Sequence, residues 1–525
     1  MKKVISLILT LTMILPALTS CGGEMKSEAI MDGFISNSSG NKNDYMYDAF
    51  LGATEADMEE INDQIPEEPA EDISGSEEQG KFIENAFIKT DVENVSTFSA
   101  DVDTASYSYL RRLIEQGYSL KELKATAGSS IRTEELINYF NYNYAPPADG
   151  ELFSTTLQIA PCPWNENAQL MMLGLQAKKI EYAQKNNLVF LIDVSGSMNS
   201  QDKLGLLKKT FSHLTDKLGD DDVISIVTYS GSEEVVLDGC SGAKKDKILK
   251  AVNGLSAKGS TNAEAGLKKA YQLAEKHFIS DGNNRIIMAS DGDLNVGISS
   301  VEELQHFVEQ KRDAGVFLSV LGFGTGNYKD EKMETIADCG NGVYYYIDSE
   351  TEAEKVFGTD IFSTLYTIAK DVKLQITFDK DMIDSYRLVG YENRLLDKED
   401  FENDRKDAGD LGAGHSVTVC YEIILKDGAI DSDADWMNLA VRYKAPDGEK
   451  SKLEEYSFSR KEYTDSPDNN FKFVCAIIKL AMILHESDYA NDISIKDITK
   501  DLSEIKLDDE YKLQFKDLVG KLVKG

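Results

Sequence analysis

Histidine and cysteine are scarce in this chain, five of one and six of the other in 525 residues. The histidines (His213, His277, His306, His415 and His485) have no metal-ligand spacing, which argues against an imidazole-based zinc site. No two cysteines form a Cys-x-x-Cys pair. Beyond Cys21, the cysteines at 162, 240, 339, 420 and 475 are odd in number and widely spaced. That pattern is no disulfide framework, though it leaves one bridge open; it suits small buried apolar residues. Positive charge is also short: Lys+Arg number 56 against 91 Asp+Glu, a net charge of −35. Such a balance argues against nucleic acid as a partner and against an electrostatic hold on anionic membranes, and it favours attraction to cations. Long apolar runs are missing except Ile5 to Leu18, too short and too near the start for a comfortable spanning helix.

What is present begins with that run. Lys2-Lys3 followed by an apolar stretch reads as a signal peptide over residues 1–20. It ends in Leu18-Thr19-Ser20-Cys21, which resembles a bacterial lipobox. The resemblance implies that Cys21 is lipidated (palmitate-type acylation) and becomes the mature first residue. The expected location is then extracytoplasmic, lipid-anchored at a bacterial cell membrane or envelope. An acyl anchor adds about 0.8 kcal/mol per buried CH₂. Residues 21–90 are rich in Ser, Asn, Gly, Glu and Asp without sustained periodicity, so an acidic, disordered tether is expected. The remaining length exceeds one core, and two to four domains are expected.

The chain is organised around Asn187 to Met198, NLVFLIDVSGSM. Leu188 to Ile192 has the length and β-branched content of a buried strand. Asp193-Val194-Ser195-Gly196-Ser197 follows where that strand would stop, the place where open α/β sheets bind ligands. One carboxylate and two hydroxyls from a single turn suit a hard cation that takes an octahedral oxygen shell and keeps several waters. Gly196 is expected to let the backbone curl so that these oxygens converge. Two further loops follow in order. Lys258-Gly259-Ser260-Thr261-Asn262 precedes a helical pattern, and the strand Ile286 to Ser290 ends in Asp291-Gly292.

Together these three stretches resemble the metal-ion-dependent adhesion site of a von Willebrand factor type A domain. The resemblance implies Mg²⁺ (or Mn²⁺) as cofactor. Ser195 and Ser197 would bind the metal through their hydroxyls, and Thr261 directly or through water. Asp193 and Asp291 would hold coordinated waters, or one of them would bind directly. Few direct carboxylates leave the ion electrophilic, so a partner protein can supply an acidic side chain to the open position. Asp293 and Asn295 could orient the third loop, and Lys258 sits at the rim where it could meet the incoming acid.

The expected fold class is α/β: a doubly wound, mostly parallel sheet (von Willebrand A, Rossmann-like) over 186–370. Alternating strands and helices carry that reading. Strand-like runs before it (151–185) and after it (371–460) alternate in antiparallel fashion. They imply one β-sandwich into which the α/β domain is inserted. A small N-terminal helical module (91–150) and C-terminal helices (465–525) complete the chain. The stretches FSADVDTASYSYLRRL, IRTEELINYFNYNYAPP and YRLVGYENRLL are similar to the flanks of the A domain in one bacterial lipoprotein family. Asp103 or Thr104 is expected to cap the first helix. Glu350 to Ala369 is expected as the last A-domain helix, running into the sandwich and able to reorient the domain on ligand binding.

The functional expectation is a non-enzymatic, membrane-anchored lipoprotein that binds a protein partner through a divalent cation, in adhesion or in assembly of an envelope complex. A scaffold with an unused metal site and a Mg²⁺-dependent hydrolase are the alternatives. The hydrolase lacks an evident general base near the three loops in sequence. An intracellular chelatase-type partner conflicts with the signal peptide and Cys21.

Overall fold

The computed structural model describes residues 83–179, 185–292, 301–324, 330–359, 366–446, 448–490, 492–507 and 509–523. The signal segment, Cys21 and the acidic stretch to residue 82 lie outside the described residues, as do Asp293 and Asn295.

The described chain opens with two strands, β1 (Ile88–Lys89) and β2 (Val95–Ser99), and three helices, α1 (Ala105–Glu115), α2 (Leu120–Ala127) and α3 (Thr133–Asn138). Helix α2 begins on a capping box in which Ser119 and Glu122 satisfy each other's backbone N–H groups. The antiparallel pair β3 (Phe153–Pro161) and β4 (Gln169–Ala177) follows. Strands and helices then alternate: β5 (Asn186–Asp193), α4 (Leu206–Lys217), β6 (Val223–Tyr229), β7 (Glu233–Ser241), α5 (Lys245–Asn253), α6 (Ala263–Lys276), β8 (Asn283–Ser290), α7 (Val301–Asp313), β9 (Phe317–Phe323), α8 (Asp330–Cys339), β10 (Tyr344–Ile347) and the short α9 (Glu350–Glu354). The chain closes with β11 (Thr367–Phe378), β12 (Ile383–Val389), β13 (Gly409–Gly412), β14 (Ser416–Leu425), β15 (Asp435–Lys444), β16 (Ser451–Ser459), α10 (Asn469–His485), α11 (Ile495–Glu504) and α12 (Glu510–Leu522).

The inserted α/β domain has a six-stranded sheet in the order β10-β9-β8-β5-β6-β7, parallel except for the edge strand β7. Side chains of β5 alternate between two cores, as a period of two requires. Phe190 and Ile192 pack with Phe211 of α4 and Ile248 of α5, whereas Val189 and Leu191 pack with Leu267 of α6, Val308 of α7 and Met333 of α8. Both faces are therefore covered, and β5 is buried along its whole length.

Strands from both sides of this domain build two antiparallel sheets. One runs β1-β12-β14-β4-β3; the other runs β13-β11-β15-β16, with β2 also on β11. The inner faces meet through Met171, Leu173, Val419, Tyr421, Leu374 and Leu439. The outer face of the first sheet is buried too: Leu170, Met172, Val389 and Cys420 join a core formed by α1, α3, α10 and α12. Hence β4 is buried nearly throughout, where simple alternation would have left every second residue exposed. Helix α10 is apolar almost all round because it is the centre of this helical layer.

Four expectations are corrected. The expected tether reaches to residue 90, yet Ile88 and Lys89 pair with β12, and Thr90 is fully buried with its hydroxyl on the Ile383 carbonyl at 2.6 Å. Backbone pairing of so short a strand leaves no compositional trace. The N-terminal segment is also no separate helical module: β2 is a strand of the sandwich, and its helices share one core with the C-terminal ones. The span Glu350 to Ala369 is not one helix. Helix α9 ends at Glu354, a π-helical turn covers Lys355–Thr359, and Ala369 already lies in β11. Finally, Thr104 stands at the cap position of α1 without a side-chain capping bond. Asp103 instead accepts the Tyr344 N–H at 3.1 Å and pairs with Arg394. Partners more than two hundred residues away outcompete the local cap.

Among the described residues no helix is long and apolar enough to cross a membrane. The cysteines at 162, 240, 339, 420 and 475 are all free, and all but Cys339 are buried.

Candidate metal centre

The three loops leave the sheet at the carboxyl ends of β5 and β8 and ahead of α6. Strand β5 lies between β6 and β8, so Asp193 emerges in the middle of the sheet. Its carboxylate is fully buried. Oδ1 accepts the Ser195 N–H at 2.8 Å, an Asx-type turn that sets the first loop, and Oδ2 faces the Ser290 hydroxyl at 3.4 Å. The hydroxyls of Ser195 and Ser197 lie 2.9 Å apart. Both oxygens therefore converge on one point, as the Asp-x-Ser-x-Ser spacing requires.

The second loop is tied to the first through backbone bonds: Gly196 N–H to Gly259 O at 3.0 Å and Lys258 N–H to Val194 O at 2.7 Å. The backbone does curl here, in a 3-10 turn over Gly196–Met198, without Gly196 taking a left-handed conformation. A β-carbon there would come within 3.3 Å of the Gly259 carbonyl, so its smallness serves close approach of the two loops. Gly259 has φ +82°, a conformation that favours glycine. Thr261 follows, half-buried, one residue before Asn262, whose side chain caps α6 by accepting the Ala265 N–H at 3.4 Å.

Asp291 closes the constellation. It is 3% exposed. Its Oδ1 is buried and has no hydrogen-bond donor among the described residues, while Oδ2 pairs with Lys203 Nζ at 2.8 Å. Burial pushes the Asp193 carboxyl up to about 6, the charge of Asp291 pushes the same way, and the Ser195 N–H pulls against both. Two buried carboxylates, one oxygen without a donor and a pair of facing hydroxyls are an acceptor set short of positive charge. These residues fit a hard divalent cation. Among the described residues no group of three or more His, Cys, Asp or Glu could hold a metal, so hydroxyls would have to carry part of any shell. Asp293 and Asn295 lie outside the described residues.

Sequence reasoning missed Lys203. It stands on a π-helical turn, Gln201–Gly205, a geometry frequent at functional sites. From there Nζ bridges Asp291 and the Ser197 carbonyl, the latter at 3.0 Å. Its stem lies over Gly324, where a β-carbon would come within 2.2 Å of it. The Gly324 carbonyl in turn accepts from Arg112 of α1 at 2.6 Å and from the Tyr346 hydroxyl. The neighbouring Arg111 is fully buried against Asp348, Glu352 and Tyr139, at the start of α9. Consecutive arginines of α1 thus hold two parts of the inserted domain, and Gly324, held by Arg112, lies against the stem of Lys203.

Family models match three parts of the chain. A family model described as von Willebrand factor type A domain matches residues 187–359, one described as von Willebrand factor matches 74–172, and one described as uncharacterized protein YfbK, C-terminal, matches 363–524. The chain is 37% identical over 468 residues to the uncharacterized protein YfbK of Escherichia coli (strain K12), covering 84% of this chain and 80% of that one. It is 26% identical over 258 residues to the human inter-alpha-trypsin inhibitor heavy chain H3, covering 46% of this chain and 29% of that protein. Among solved structures, a von Willebrand factor type A protein from Catenulispora acidiphila aligns over 61% of this chain and 74% of its own, at 18% identity and a TM-score of 0.37. The chain belongs to the bacterial von Willebrand factor type A domain family that includes YfbK of Escherichia coli.

Proposed function

We propose that this protein binds a partner protein through a divalent cation, Mg²⁺ or Mn²⁺. Ser195, Ser197 and Thr261 supply neutral oxygens, Asp193 and Asp291 supply charge and orient coordinated water, and the partner supplies an acidic side chain. A von Willebrand A domain points to protein interaction, and the relatives reported above are consistent with a non-enzymatic role. The observation that carries the reading is the buried Asp291 oxygen, without a donor among the described residues, together with the facing serine hydroxyls. A cage of carboxylates would satisfy a cation fully; a shell built largely from hydroxyls and water leaves it able to accept another carboxylate. The anchor belongs to the same reading: the run Ile5 to Leu18 and Leu18-Thr19-Ser20-Cys21 support lipidation at Cys21 and an extracytoplasmic position at a bacterial membrane or envelope.

The experiment is a melting curve of the full chain in Mg²⁺, Mn²⁺, Ca²⁺ or EDTA, beside Asp193→Ala. A cation bound only by the native state raises stability by about 2.7 kcal/mol at a hundredfold excess over its dissociation constant. The expected outcome is a Mg²⁺-dependent rise in the midpoint that the variant lacks. Equal midpoints in Mg²⁺ and EDTA for the unaltered chain would count against the site.

A further inference from the structure

A cleft of about 580 Å³ opens directly beside the first two loops. That volume is in the range of ligand clefts, roughly 300–1,000 Å³. Val194, Val236, Leu237 and Leu255 give it an apolar lining. Val194 is the residue between Asp193 and Ser195, so the cleft and the candidate cation site share a wall. The α5 side of the cleft is held by Lys208 of α4, which donates to the carbonyls of Asn253 and Leu255, at 3.0 and 2.8 Å, and so caps the C-terminal end of α5.

The charge at this cleft runs opposite to that of the protein. The chain carries −35 overall, yet Lys247, Lys250 and Lys258 all line the cleft, with Glu234 the acidic side chain there. Lys247 and Lys250 are three apart on α5 and so project from one helix face, and Lys258 comes from the second loop. All three side chains are exposed, and none has an ion pair among the described residues. The helix dipole accounts for a cation in the last turn of α5, where Lys250 stands. It does not account for Lys247 and Lys258 lining the same apolar cleft as Lys250 beside the candidate cation site.

We propose that this cleft is the second half of the partner site and takes an acidic segment of the partner in which apolar residues alternate with acids. One carboxylate completes the shell of the cation, further carboxylates lie against Lys258, Lys250 and Lys247, and an apolar side chain between them enters the space over Val236, Leu237 and Leu255. This inference rests on the cation-dependent reading above, to which it adds the chemistry of the ligand. Electrostatic complementarity of this kind acts on encounter and selection of the partner more than on raw affinity.

The test is selection of a random twelve-residue peptide library, displayed on phage, against the immobilised full chain in Mg²⁺. Winning peptides are then measured on the unaltered chain, on Lys247→Glu/Lys250→Glu/Lys258→Glu and on Asp193→Ala, with and without EDTA. The three lysines are exposed, so the triple variant is expected to keep the melting midpoint of the unaltered chain. The expected result is enrichment of sequences with at least two acids around an apolar residue, bound tenfold or more weakly by the triple variant and lost in EDTA and in Asp193→Ala. Equal binding by the triple variant, with loss in EDTA, overturns the cleft and leaves the cation reading standing. Weakened binding by the triple variant that is unchanged in EDTA overturns the cation reading and, with it, the shared ligand. A selection on the unaltered chain that enriches no acidic sequences overturns the proposal.

Discussion

At the scale of single residues, Lys203 and Asp291 form an ion pair within the candidate site. Their side chains are 13% and 2% exposed, so the pair is largely out of water. Removing one partner of a buried pair leaves the other charge uncompensated, at a cost of about 3–5 kcal/mol. In Lys203→Met that charge would sit on Asp291, where a divalent cation can compensate it. The expected outcome is a lower melting midpoint than the unaltered chain in EDTA and a larger rise on adding Mg²⁺. Glu134 carries a second prediction at this scale. It is buried beside Tyr391, whose N–H it accepts at 2.9 Å, and burial first, then Asp101 and Glu392, push its carboxyl up to about 8. The folded state thus holds this proton where the unfolded chain, with an ordinary glutamate near 4.3, has lost it. The stabilisation is complete below that ordinary value and is lost as pH rises through about 8. Urea unfolding at about pH 6 and about pH 9 is expected to show stability falling with pH, and falling less in Glu134→Gln.

At the scale of elements, α1 ties the helical layer to the inserted domain. Its apolar side, with Tyr107, Leu110 and Leu113, enters the helical layer, while Arg111 and Arg112 point to the inserted domain. Arg111 is 1% exposed, and its guanidinium holds Asp348 and Glu352, both also buried, with the Tyr139 hydroxyl bonding both the arginine and Glu352. Arg111→Met would leave two carboxylates buried without a cation. It is expected to cost about 3–5 kcal/mol in chemical unfolding. The sequence marked α1 as a helix by its apolar spacing but gave no sign of this role. Its partners lie 237 and 241 residues away, and local pattern contains nothing about which side chains such a distance will bring together.

At the scale of the whole molecule, the inserted domain is gripped from several sides. The Asn186 amide donates to the Tyr366 hydroxyl at 3.0 Å at one end of β5. Arg394, in the loop after β12, pairs with Glu334 at 2.7 Å and Asp338 at 2.9 Å on α8, and Arg111 holds α9. One apolar cluster runs without a break from Phe190 and Phe211 of the inserted domain to Leu374 and Tyr421 of the sandwich. A rigid reorientation of the domain on ligation would have to break these contacts together, and no continuous helix from Glu350 to Ala369 exists to transmit it. The expected outcome is that small-angle scattering profiles of the full chain superimpose with and without Mg²⁺. A systematic change in the profile would mean that the grip yields.

The sequence alone determined the features that depend on neighbours along the chain. Strand β5, its terminal Asp193-Val194-Ser195-Gly196-Ser197 turn, the order of the three loops, and an α/β domain inserted between antiparallel strands all follow from period, length and turn chemistry within short windows. Only the tertiary structure decided what depends on packing between distant segments. It places Lys203 on Asp291, gathers three lysines beside the first loop, makes β1 and β2 strands of the sandwich, and merges the N-terminal and C-terminal helices into one layer. The reason is physical: a helix face or a turn is fixed by residues three or four apart, whereas a buried ion pair or a shared core is fixed by which surfaces meet, and residues hundreds of positions apart leave no periodic trace of that meeting.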